Sequence, residues 1–160
     1  MQHPSVQPLN TLLEQAERAR DDALAQQQRA DVAMRGAENQ VHQLLAYRGE
    51  CERRWTERSR AGTTPTLMHC HQTFIGRLQT AVDLQDEVVK RAQAEVQRCR
   101  EQLLALELRV ASVRKLIERR EAALAQQAGR SEQKMFDEIA TRAAWNRLAG
   151  PAGRGVAGLS

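Results

Sequence analysis

The 160 residues include only two Trp, one Tyr and two Phe, together with four prolines and three cysteines. Nowhere is there an apolar run approaching the roughly 20 residues a membrane-spanning helix needs. Each shortage excludes something. A compact globule of this length buries many large side chains, whereas here the apolar fraction of 41% is carried largely by alanine, so any core must be thin. The cysteines Cys51, Cys70 and Cys99 are odd in number and irregular in spacing, and the opening "MQHPSVQPLN" lacks the apolar heart of a secretion signal. That pattern predicts reduced thiols in the cytosol rather than a disulfide framework.

Catalytic and metal-binding patterns are also missing. The stretch "AGTTPT" lacks the glycine–lysine spacing of a phosphate-cradling loop. In "MHCHQ", His69, Cys70 and His71 are all metal-ligand types. Side chains one and two residues apart on a helix do not share a face, and a structural zinc site needs four converging ligands. The expectation is therefore no catalytic residue, no metal and no cofactor. A two-helix hairpin also offers no enclosed cavity in which to desolvate a reacting group.

Present in abundance are Ala, Gln, Arg, Glu and Leu, with 28% charged residues, the composition of a long helix or coiled coil. The net charge of +4 and pI near 9.4 would suit an acidic partner or nucleic acid. Both signs are mixed along the whole chain, however, which reads as solvated helix surface rather than a basic block. A nucleic-acid-binding helical arm is an alternative that steep salt dependence would reveal. A structural coil that dimerises through its alanine-rich face is another.

Proline costs about 3 kcal/mol inside a helix, so Pro4, Pro8, Pro65 and Pro151 delimit two long windows. The first opens with Thr11 and Glu14 at the spacing of a capping box. It ends at "RSRAGTTP", where Gly62 supplies a turn, Thr64 an N-cap and Pro65 the first position of the next helix. In the first window Leu9, Ala16, Ala23, Ala30, Ala37, Leu44 and Cys51 recur at a heptad step, with Leu12, Ala19, Ala33 and Tyr47 as companions. In the second, Ile75, Val82, Val89, Val96, Leu103, Val110, Ile117 and Leu124 hold the same step, with Leu78, Ala92, Cys99, Leu106 and Val113 beside them. A heptad repeat this long predicts a left-handed supercoil, and the short turn makes the partner the chain's own other helix.

The predicted fold is all-α, an antiparallel coiled-coil hairpin over residues 9–147 with its turn at about 58–65. A flexible N-terminus spans 1–8 and a disordered tail 148–160. Because the second helix is longer, residues 125–147 are expected to project without a partner. That end contains "RSEQKMFDEIATRAAW", which carries Met135, Phe136, Ile139, Ala140 and Ala143 on one stripe. Tyr47, Trp55 and Phe74 are expected near the turn, and Phe136 and Trp145 on the projecting helix. Large aromatics often carry binding energy, so two partner sites are indicated; the aromatics near the turn could equally plug the end of the coil.

The strings "LLAYRGECERR", "FIGRLQTAVDLQ", "KLIERRE" and above all "RSEQKMFDEIATRAA" resemble the FliJ family of the flagellar protein export apparatus. The similarity covers roughly residues 9 to 145. The resemblance implies a soluble, non-catalytic stalk, similar in form to the central coiled-coil subunit of rotary ATPases. It would insert into the ring of the flagellar export ATPase, promote assembly of that ring, and meet the regulator of the ATPase. It would also bind the cytoplasmic domain of the export gate and the export chaperones, at the inner face of the cell membrane, with no nucleic acid and no direct membrane insertion. The equivalent stalk of a virulence-type injectisome is the nearest alternative. By position in the matching strings, the gate patch would comprise Gln40, Leu44, Tyr47, Cys51, Phe74, Leu78, Ala81 and Gln85. Cys51 and Gln85 depart from the family pattern, which has an aromatic and a histidine there. The ring-facing element would carry Gln133, Lys134, Met135, Phe136, Asp137, Glu138, Ile139 and Arg142.

Overall fold

The computed structural model describes residues 3–150. They form two helices, α1 (Gln7–Ser59) and α2 (Pro65–Ala149), and among the described residues there is no strand. The two helices pack as a helical hairpin, as the heptads predict. The chain divides into two units, Glu14–Ala111 and a second one built from residues up to Leu13 and from Ser112 onward.

In the unit Glu14–Ala111 the hairpin turn follows its sequence signals. The Thr64 hydroxyl accepts a hydrogen bond from the Leu67 amide at 3.3 Å, satisfying one of the orphan donors of α2. Pro65 takes the first helical position, where its missing amide hydrogen is no loss. Gly62 has φ of 103°, in the left-handed region that a Cβ disfavours.

Burial in this unit is divided unevenly. The buried residues of α1 here are Ala16, Ala23 and Ala37, whereas α2 buries Val82, Val96, Cys99, Leu103 and Val110. Small side chains on one helix leave room for larger ones on the other. The column on α2 matches expectation throughout, with Ile75, Leu78, Val89, Ala92 and Leu106 half-buried between the buried positions.

On α1 the companion column needs correction. Leu12 and Ala19 are half-buried, but Ala33 and Tyr47 are exposed, and Met34, Val41, Arg48 and Trp55 take the inward positions. From Ala30 to Cys51 the companion thus lies four residues after each member of the first column rather than three. Arg48 explains why this was hard to see: its aliphatic stem can line the seam while its head reaches Gln79 on α2.

In the other unit, Val6, Val113 and Ile117 form the buried cluster, with Leu9, Leu12, Leu13 and Leu124 packed against it. The expectation of a flexible segment over residues 1–8 fails for Val6, which is only 2% exposed. Its amide donates to the His3 carbonyl at 2.9 Å, and its carbonyl accepts from the Asn10 amide at 3.0 Å. α1 therefore starts ahead of the predicted capping box. Pro8 is tolerated because first-turn amides have no intrahelical acceptor, and the Thr11 hydroxyl donates to the Gln7 carbonyl at 3.2 Å instead of capping. Every residue from 125 to 150 is exposed. The expected disordered tail lies outside the described residues beyond Gly150.

Candidate functional site

Two surfaces carry the candidate residues, one in each unit. In Glu14–Ala111 the eight expected gate-patch residues fall on facing stretches of α1 and α2, because the antiparallel register brings residues near 40 opposite residues near 85. The Gln85 amide nitrogen donates to Gln40 Oε1 at 2.8 Å and to the Ala37 carbonyl at 3.3 Å. Gln40, Leu44, Tyr47 and Gln85 line one shallow open groove, together with Gln43. Tyr47 and Phe74 meet edge to face, their centroids 6.3 Å apart at 83°, a geometry that places the positive edge of one ring on the negative face of the other. Both rings are nonetheless 41% or more exposed. Leu78 and Ala81 are half-buried behind them.

Cys51 joins this patch to a second open groove, lined also by Arg54, Trp55, Glu57, Arg58, His71 and Phe74. Its thiol is half-buried, and its hydrogen bond with Tyr47 pushes the phenol above its ordinary titration range. Trp55 and His71, each conspicuous in the sequence but not as partners, stack in parallel in this groove, 4.3 Å between centroids and 5° between planes. The register would have found it, since the pairing that joins Gln40 to Gln85 also brings residue 55 to residue 71.

Elsewhere in this unit most polar contacts are pairs three or four residues apart along one helix, and Arg100 reaches Asp31 on the other helix at 3.6 Å. Arg98 grips the Glu95 carboxylate with two nitrogens at 2.9 and 2.6 Å, which holds that carboxyl below its usual range. Burial pushes the Cys99 thiol up, as suits a small apolar seam residue. In "MHCHQ", His69 and Cys70 are exposed and the His71 ring stacks on Trp55. Among the described residues no group of three or more His, Cys, Asp or Glu could hold a metal ion, and none of their helices is long and apolar enough to cross a membrane.

The second surface is the C-terminal part of α2. Counting about 3.6 residues per turn, Leu124, Met135 and Ile139 fall on one side of the helix, so the side that packs at Leu124 runs on into the expected stripe. Met135, Phe136 and Ile139 are 61%, 68% and 56% exposed. Trp145 and Leu148, at 72% and 79%, lie on other sides of the same segment. Gln133, Lys134, Asp137, Glu138 and Arg142 are exposed around the stripe, and the Gln133 amide donates to Asp137 Oδ1 at 3.1 Å. All eight residues expected to face the ring thus share one helix segment whose apolar members no other part of the described chain covers.

The sequence model of one protein family, described as "Flagellar FliJ protein", matches residues 5–149. No curated protein and no solved structure matches the chain. The matched span takes in both helices completely, from the residue before Val6 to the last residue of α2, and with them both candidate surfaces. The chain belongs to the FliJ family of flagellar proteins, a non-catalytic component of flagellar protein export.

Proposed function

We propose that this protein is the stalk of the flagellar type III export apparatus, and that the C-terminal part of α2 enters the ring of the export ATPase and promotes its assembly. On this reading the patch around Tyr47 and Phe74 binds the cytoplasmic domain of the export gate. The same surfaces are visited by the regulator of the ATPase and by export chaperones, and the protein is held at the inner face of the cell membrane by these partners.

The observation that carries the reading is the bare stripe Met135, Phe136 and Ile139, each more than half exposed. Large apolar side chains left open on a helix end mark a contact with another molecule. Covering each contributes about 1.5–3 kcal/mol, enough for three together to decide whether a ring assembles around the helix.

The test compares ATPase stimulation by the full chain and by the triple variant Met135→Gln, Phe136→Gln, Ile139→Gln. Stimulation should fall on the order of tenfold or more, the equivalent of at least about 1.4 kcal/mol, while helicity by circular dichroism is unchanged. Undiminished stimulation would refute the assignment. Tyr47→Ala with Phe74→Ala should weaken gate binding and spare the ATPase. The reverse pattern would mean the two surfaces have been interchanged.

A further inference from the structure

Around the hairpin turn, charge and exposed apolar surface coincide in a way that neither the ring nor the gate reading uses. Residues 58–82 contain no Asp or Glu, yet hold Arg58, Arg60 and Arg77. The first turn of α2 has no acidic residue, and neither Arg58 nor Arg60 meets a carboxylate among the described residues. Just past the turn, Leu67 and Met68 are 53% and 45% exposed.

The groove beside the turn is a different environment. Arg54 there is neutralised by Glu50 at 2.5 Å, and Glu57 lines the wall with Arg58. Arg58, at the edge of that groove, and Arg60, on the convex turn, thus carry positive charge that no ion pair neutralises among the described residues, a few residues before the exposed Leu67 and Met68. A convex surface of this kind cannot enclose a peptide. It suits a flat, anionic partner with an apolar interior, where arginines meet headgroup phosphates and short apolar side chains reach the acyl boundary.

We propose that the hairpin turn adsorbs directly to an anionic lipid surface through Arg58, Arg60, Leu67 and Met68. With so few charges the adsorption is weak, reversible and salt-sensitive, an orienting contact rather than an anchor. It needs no export component, so its failure would leave the ring and gate readings untouched, and theirs would leave it untouched.

The experiment is co-sedimentation of the full chain with vesicles of phosphatidylcholine alone and of phosphatidylcholine mixed with phosphatidylglycerol. Binding should require phosphatidylglycerol and vanish at high salt. Each arginine near such a surface is worth on the order of fivefold in partitioning at low salt. Arg58→Gln with Arg60→Gln should therefore reduce binding by roughly thirtyfold. Leu67→Gln with Met68→Gln should also weaken it, with the salt dependence retained. All four residues lie at exposed positions, so helicity should be unaffected. The Met135→Gln, Phe136→Gln, Ile139→Gln variant should bind vesicles like the parent chain. Equal binding to both vesicle types, no binding to either, indifference to both pairs of turn substitutions, or loss in the C-terminal variant would each overturn the proposal. So would salt-sensitive retention of a polyglutamate peptide by a turn that ignores vesicles, since that outcome assigns the charge to an acidic protein.

Discussion

The seam of Glu14–Ala111 and the C-terminal part of α2 use apolar side chains in opposite ways. Between the helices, Ala16, Ala23 and Ala37 are buried with Val82, Val96 and Val110, all small. On the segment after residue 125 the apolar side chains include Met, Phe, Ile, Trp and Leu, every one exposed. A globular protein puts its largest apolar residues inside, whereas here the largest buried side chains are Leu103 and Ile117, and Met135, Phe136 and Trp145 stay exposed. Folding is carried by contacts repeated at heptad spacing, while no aromatic side chain is buried among the described residues. Stability and recognition should accordingly be separable by mutation.

The sharpest way to break that comparison is to place charge in the seam. Val96 is 3% exposed, and Val96→Asp should cost about 3 kcal/mol or more, because burying a carboxylate in an apolar seam is one of the few large single-residue penalties. Thermal melting followed by circular dichroism should show a large fall in midpoint. A midpoint like that of the parent would mean the seam does not hold the helices together.

Two smaller losses sharpen the picture at the turn. Phe74→Ala removes an edge-to-face partner of Tyr47 and should cost about 0.5–1.5 kcal/mol beyond lost area. Thr64→Ala leaves the Leu67 amide without its cap and should cost about 1 kcal/mol. Denaturant titration measures both. If Phe74→Ala were silent in stability while gate binding fell, the ring would belong wholly to recognition.

The heptad column on α2 made the fold readable because its members are all valine, isoleucine or leucine and run unbroken from Ile75 to Leu124. The α1 column was readable only on one side. Alanine fixed the first row, but the second passes through Met34, Val41, Arg48 and Trp55, and a hydropathy count assigns no inward role to an arginine. Cap chemistry succeeded at Thr64, where a proline followed, and failed at Thr11, because the helix begins at Gln7 through a local turn held by backbone hydrogen bonds. The exposed stripe was legible from its length mismatch and spacing alone. The Trp55–His71 stack was not, since it depends on the register of two distant segments, which periodicity leaves free by a residue or two.

The smallest expected effect is also the most discriminating. If the C-terminal stripe contributes nothing to the fold, then Met135→Gln, Phe136→Gln and Ile139→Gln each change stability by no more than about 0.5 kcal/mol, as for surface positions generally. Glutamine has nearly the helix propensity of methionine and exceeds phenylalanine and isoleucine, so helicity should hold or rise slightly. Denaturant titration of the three single variants gives the number directly. A loss of several kcal/mol at Phe136 or Ile139 would mean that the stripe is covered within the isolated protein, by its own chain or by a second copy. The surface assigned to a partner would then already be in use. Changes confined to a few tenths of a kcal/mol would leave those side chains with no role in the fold, and contact with another molecule as the physical reason for large apolar groups at these positions.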